Sequence, residues 1–352
     1  MICLADLSTE VRREFVCAAF WSILGMPLLS WGDYAPKERI RIDEAVRQLA
    51  GGQRESSSAK EELEVAPKEI VIPAIVSALR DDPMFVDSGP RQKAYAILVH
   101  HQAGEHPLGI QQFIRGLAEP KVRVWCARGL TKVDSDHRAQ VIEALTKTLV
   151  IPADSVEESS LQEVVRSLGS YGPVAKEALG PIAELFGNPS VATRLRGTAA
   201  GAMLQIGGLD WSLDRFQDLE PGAHQGAVTH VGRYLSHADE ACYQEPSPEY
   251  RPQRDRARQF ILKGLESPHR DVRAAALDVI GIAYGIDWII FHSPDNYEWN
   301  PEPRKALEAM LEHESDGELR DKTKKRLDFD IHRAAARLQR DIERAKAKKE
   351  GR

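Results

Sequence analysis

Six prolines, Pro83, Pro120, Pro152, Pro189, Pro221 and Pro268, divide most of the chain into segments of 37, 32, 37, 32 and 47 residues. Each sits in a gap between two apolar patterns of helical spacing. A break that returns about every 35 residues suits stacked helix pairs, because one pair is too small to bury its own apolar face and needs a neighbour on each side. The helix after each proline gives the same period: its last large apolar residue falls at Leu98, Val133, Leu168, Ile206, Leu235 and Ile280. The uneven last two steps imply one displaced boundary and an insertion before the sixth unit.

Within units the spacing is i, i+3, i+4, i+7. First helices carry Ile110, Phe113, Ile114 and Leu117, or Val141, Ile142, Leu145 and Leu149; second helices carry Leu161, Val164, Val165 and Leu168, or Ala227, Val228, Val231 and Leu235. No segment alternates with period two for the length of a strand, so the expected class is all-α. Ile206 is expected at the inner end of a second helix, packed between neighbouring units.

The turn residues resemble those of HEAT repeats. Pro120-Lys121-Val122-Arg123, Pro189 with Val191 and Arg194, and Pro268 with Asp271-Val272-Arg273 place a proline or aspartate before a valine and an arginine at the start of the second helix. Ala199-Ala200 and Ala274-Ala275-Ala276-Leu277 match the small residues that family uses where helices pack closely. Six units over roughly 67–285 carry the resemblance. A seventh at about 303–328 has Asp316-Gly317 in place of proline, before Leu319 and Arg320. The resemblance implies an α-α superhelix, a HEAT-like solenoid of six to seven helix pairs.

That family includes scaffolds, transport receptors and a few enzymes, so activity has to be argued from sites. No catalytic, cofactor or metal motif stands out. The HEAT-like deoxyhypusine hydroxylases use several His-Glu dipeptides; this chain has one, His313-Glu314. His230, Tyr234 and His237 share a helical face, and His100, His101 and His106 form a looser cluster, but neither set completes a metal-ligand pattern. Cys3, Cys17, Cys126 and Cys242 have neither C-x-x-C spacing nor a disulfide framework. The expected function is a non-enzymatic protein-binding scaffold. The alternative is a HEAT-like (PBS-lyase-type) enzyme with its site near two insertions, 237–253 and 285–303.

The second insertion holds Trp288, Phe291, Tyr297 and Trp299, four of 23 aromatics. With Asp287, Asp295, Asn296 and Glu298 beside them, they suit a sugar, peptide or cationic ligand and are the candidate binding residues. A loop pinned to the edge of the stack by its own aromatic cluster has the same composition.

Net charge is −6, yet residues 320–352 contain thirteen basic and six acidic residues, a net of +7 that leaves −13 on the rest. Nucleic acid is therefore not expected along the repeats. Residues 330–352 read as a basic C-terminal helix with a narrow seam of Ile331, Ala335, Leu338, Ile342 and Ala345.

Residues 1–32 form a separate hydrophobic segment. Phe15 to Trp31 has no charge and follows Arg12-Arg13-Glu14-Phe15-Val16. The pattern resembles a twin-arginine export signal, which would imply a periplasmic mature chain. A helix capping the first repeat and a retained membrane anchor are the other readings, and membrane contact is expected only through this segment. Residues 33–66 read as a helix, with Ile40, Ile42, Val46 and Leu49 apolar, followed by a linker-like loop at Gly51–Ser58. The repeats then occupy 67–329.

Overall fold

A computed structural model of the chain describes residues 36–149, 158–216, 219–241, 250–283 and 301–328. Segment 1–32, residues 242–249 of the first insertion, most of the second with Trp288, Phe291, Tyr297 and Trp299, and the basic tail 330–352 lie outside the described residues. The fold is all-α, and no strand occurs among the described residues. Two compact units divide at Val133 and Asp134.

In the first unit the helices are α1 (Pro36–Gln48), α2 (Gln53–Val65), α3 (Lys68–Asp81), α4 (Ser88–His100), α5 (Pro107–Gly116) and α6 (Arg123–Gly129). They pair as α1/α2, α3/α4 and α5/α6. First helices pack on the next first helix (α1 on α3, α3 on α5) and second helices on the next second helix (α2 on α4, α4 on α6). The core of this unit holds Leu49, Leu63, Ile72, Ile75, Phe85, Tyr95, Leu98, Ile110 and Phe113, each at most 1 % exposed.

The second unit contains α7 (Ser135–Leu149), α8 (Glu158–Ser170), α9 (Leu179–Gly187), α10 (Thr193–Arg215), α11 (Pro221–Ala241), α12 (Tyr250–Leu265), α13 (Arg270–Ala283), α14 (Pro301–His313) and a last helix, α15, at 317–328. Here α8, α10, α11 and α13 pack in succession, and α7 contacts α9 while α12 contacts α14. Gly208 breaks α10. Its φ of 78° and ψ of 175° are accessible to glycine and costly for any L side chain, so Thr193–Gly207 and Leu209–Arg215 are two helical pieces. The second piece is a short first helix for α11, which accounts for the contracted step from Ile206 to Leu235. Gly197 and Gly226 let α10 and α11 approach closely: a Cβ on Gly226 would stand 2.7 Å from the Gly197 Cα.

Prolines 83, 120, 189, 221 and 268 all lie just ahead of a second helix or open it. Pro152 falls outside the described residues. In the four stripes quoted for first and second helices only Ile114 is not buried, and Ile206 is 3 % exposed.

The linker-like loop expected at 51–58 is instead the start of α2. The Gly52 N–H is capped by the Glu55 carboxylate at 3.3 Å, and Ser56, Ala59 and Leu63 form the buried stripe that holds the helix against its neighbours. In α1 the buried stripe is Ile42, Ala45, Val46 and Leu49, whereas Ile40 is 68 % exposed. The other faces of α1 and α2 carry charged groups, including an Arg41–Glu62 pair at 2.6 Å.

One arginine recurs at the same point of five second helices. Arg91, Arg123, Arg196, Arg273 and Arg320 donate their backbone N–H to the carbonyl four residues earlier, at the helix start. Each guanidinium also turns back to a carbonyl at the end of the preceding segment: Phe85 (3.1 Å), Leu117 (2.7 Å), Phe186 (2.9 Å), Ser267 (3.0 Å) and Glu314 (3.3 Å) respectively. Each bond gives a partner to a carbonyl at a helix end or turn, so the arginine brackets the two helices of a pair. Three of the five then reach the following pair. Arg91 holds Glu119 through two 2.6 Å contacts, Arg273 holds Glu314 at 2.7 and 2.9 Å, and Arg196 pairs with Glu220. The arginine expected in this role after Pro189 was Arg194. That side chain is exposed, and Arg196, 2 % exposed, takes the place. An Asn188 turn, in which the side chain accepts the Ser190 N–H at 2.9 Å, moves the helix start to Ala192.

Candidate functional site

Three of the histidines singled out by sequence bond to the backbone, and the side chain of His237 lies outside the described residues. His100 and His101 donate from Nε2 to the carbonyls of Glu64 (3.1 Å) and Leu63 (2.7 Å), satisfying the C-terminal end of α2 from a helix of the next pair. His106 caps α5 by accepting the Leu108 N–H at Nδ1. His313 is followed by Glu314, whose carboxylate is occupied by Arg273; that bond holds it below the usual carboxylate range.

His230 lies on α11 against Gly201 of α10, where a Cβ would stand 2.7 Å from Nδ1. Burial pushes the imidazole down to about 4, with the charges of Arg233 and Arg166 adding to the effect, so it is neutral at neutral pH. Tyr234 is half-buried one turn on. Among the described residues no group of three His, Cys, Asp or Glu side chains is placed to hold a metal ion. Cys126 is buried, and burial raises its thiol well above the ordinary value.

A surface feature not singled out by sequence lies on the second helices of the first unit. Residues 88–132 contain seven Lys or Arg against two carboxylates, Glu105 and Glu119, although the whole chain is acidic. Arg91 occupies Glu119 and Lys68 reaches Glu105 at 3.7 Å. Trp125 and Arg128 lie three residues apart on α6, whereas Lys121 is in the turn before it and Lys132 in the bend after it. Lys121, Arg128 and Lys132 are exposed and Trp125 is half-buried. The Arg128 guanidinium lies 5.3 Å from the Trp125 ring centre, a cation–π contact that holds both side chains at the surface.

α4 contacts the turn that carries Lys121. Gln92 donates to the Lys121 carbonyl at 3.1 Å, and the Lys121 ammonium lies 3.5 Å from the Ser88 hydroxyl. The nearby Lys93 donates to the Leu49 carbonyl at 3.4 Å and is committed to the α1 end. The result is a two-helix surface of cations, one indole and neutral hydrogen-bonding groups.

No family model matches the chain, and no curated protein matches it. Among solved structures, the chain is similar to the crystal structure of an engineered protein from the Northeast Structural Genomics Consortium, with 15 % identity, 70 % of this chain and 97 % of that chain covered, and a TM-score of 0.34.

Proposed function

We propose that the helix pairs are turns of a HEAT-like α-α superhelix and that the chain is a non-enzymatic protein-binding scaffold. The observation that carries this reading is the recurring arginine bracket. Five second helices place the same side chain at the same position, and each bracket fixes a pair as a unit that its neighbours extend. Such an array presents the exposed faces of its second helices as a continuous rigid surface, and its inter-pair loops as variable attachments. His106 caps a helix, His100 and His101 satisfy a helix end, and Glu119, Glu220 and Glu314 are held in ion pairs, which suits a surface that binds rather than one that reacts.

Affinity capture of the full chain from its native cell, followed by mass spectrometry, tests the scaffold. Specific protein partners are expected. Replacing Trp288 and Trp299 together by alanine then asks whether the aromatic insertion makes the contact: weaker capture with an unchanged helical spectrum supports it. Capture of no protein by the folded parent, with turnover of a small molecule instead, would overturn the scaffold reading. Small-angle scattering tests the superhelix separately, since a compact globule is incompatible with it.

A further inference from the structure

We propose that His230 of α11, with Arg233 of α11 and Arg166 of α8 beside it, forms a binding site for a phosphate monoester carried on a serine or threonine of a protein partner. This rests on the scaffold reading and assigns one chemical group of the partner to one place on the second helices of the second unit.

Close approaches at glycine fix how these helices line up. Gly197 of α10 meets Gly226 of α11, and one turn further Gly201 meets His230, so the two helices run side by side in parallel. On the other flank of α10, Gln205 lies against Gly169 of α8, where a Cβ would stand 3.3 Å from the Ala202 Cα. Arg166 is one turn from Gly169 on α8, as Gly201 is from Gln205 on α10. Gly201 has no side chain to hold the imidazole off α10, and the charges of Arg166 and Arg233 both bear on the ring there. His230 and Arg233, three residues apart on one helix, are surface neighbours.

The three groups share unused hydrogen-bonding capacity. Among the described residues neither ring nitrogen of His230 makes a hydrogen bond, and exposed Arg233 makes none and joins no ion pair. His100, His101 and His106 all bond to the backbone. Polar groups taken out of water are almost always paired, so a half-buried imidazole without a partner points to a group that arrives from outside. Arg166 gives one terminal nitrogen to Glu163 at 3.0 Å, and its side chain is 51 % exposed. Few anions compete. Glu163 is held by Arg166 and Glu158 by Gln162, residues 193–209 and 221–238 contain no Asp or Glu, and Asp278 on α13 is paired with Lys322 at 2.7 Å.

Two guanidinium groups on different helices and an imidazole present donors to one anion from separate directions. That suits the three terminal oxygens and near-double charge of a phosphate monoester better than a planar carboxylate. A bound phosphate also supplies the negative charge that makes the buried imidazole easier to protonate. A nucleic-acid backbone is a poorer match, because two arginines release too few counterions to hold a chain of net charge −6 on it.

The test uses full-length protein and a short fluorescein-labelled peptide with one central phosphoserine. Its serine and glutamate counterparts, a single-stranded oligonucleotide and inorganic phosphate are the comparisons. Anisotropy should show binding of the phosphoserine peptide, none of the serine peptide and clearly weaker binding of the glutamate peptide. Arg233→Gln should weaken binding by about tenfold, the loss of one charge-assisted contact. Imidazole resonances followed by NMR across pH, with His230 identified by its absence in His230→Asn, should show its titration moving up from about 4 when the phosphopeptide is bound. A purely structural histidine would not respond. Circular dichroism checks that Arg233→Gln keeps the parent's helix content; should it unfold, Arg166→Gln carries the test. No phosphoserine-peptide binding, equal binding of the glutamate peptide, tighter binding of the oligonucleotide, inorganic phosphate binding as tightly as the peptide, or unchanged affinity in the arginine variant would each overturn the proposal. Capture of protein partners without phosphoserine binding would refute the phosphate assignment while leaving the scaffold intact.

Discussion

Replacing Arg196 by methionine tests the bracket at its most buried example. The Arg196 side chain is 3 % exposed, its Nε donates to the Phe186 carbonyl at 2.9 Å, and it pairs with Glu220. Methionine keeps the apolar stem in place, so the loss is polar. An orphaned carbonyl beside buried Phe186 costs about 1–3 kcal/mol. The Glu220 contact adds at most about 1 kcal/mol, because that carboxylate is 43 % exposed and solvent screens it. Glu220 keeps a role after the change, since it also accepts the Ala223 N–H at 2.8 Å. The sum is about 1–4 kcal/mol, which for a unit of this size lowers the melting temperature on the order of 3–15 °C. Urea unfolding followed by far-UV dichroism measures it, with the slope expected to stay constant while the midpoint falls. Arg194→Met, two residues away and exposed, should stay within about 0.5 kcal/mol of the parent. Equal losses for both variants, or none for Arg196, would refute the bracket as a stabilising device.

Ile206→Asp should cost about 4 kcal/mol or more, because the carboxylate would be buried between second helices without a partner; a parent-like melt would contradict that placement. Gly208→Ala should destabilise by about 1–3 kcal/mol through backbone conformation alone, since nothing lies within 4 Å of the added Cβ. Gly180→Ala, equally open but helical, should be neutral or slightly stabilising in the same melts. His230 is more easily protonated in the unfolded chain than in the fold. The unfolded state therefore binds the extra proton below pH 6.5, and stability falls as pH drops from 6.5 toward about 4. His230→Asn should flatten that part of the stability–pH curve, and an identical slope in parent and variant would show that another group is responsible.

The repeat was legible because it is written twice, in prolines that stop helices and in apolar stripes that face the core. Arg123, Arg273 and Arg320 could be found by their distance from a turn residue. Arg196 could not, because the Asn188 turn consumes residues before the helix begins and so shifts the register. The start of α2 was hidden by its composition. Gly51-Gly52 and three serines look like a linker, yet a stripe as narrow as Ser56, Ala59 and Leu63 is enough once neighbouring helices cover it. The roles of His100 and His101 depend on carbonyls 36 and 38 residues away, which no local pattern reports. The contacts of Gln92 and Ser88 with Lys121 exist only because α4 packs on α6, which no local pattern reports. The aromatic residues at 288–299 were legible as an enrichment of type and nothing more.

The arginine ties also determine where this chain is free to grow. Arg91 finds Glu119 after 28 residues, Arg196 finds Glu220 after 24, and Arg273 finds Glu314 after 41, across the whole segment between α13 and α14. The contact registers which pair comes next in space and is indifferent to how much chain was used to arrive there. Extra sequence placed after a second helix and before the next first helix therefore leaves the tie whole. The turn ahead of the arginine also takes up length: Arg196 reaches its carbonyl across ten residues where the other four span six, because the Asn188 turn absorbs the difference. Length variation among descendants of this chain is expected to collect between pairs, so new surface can be acquired without renegotiating the stack.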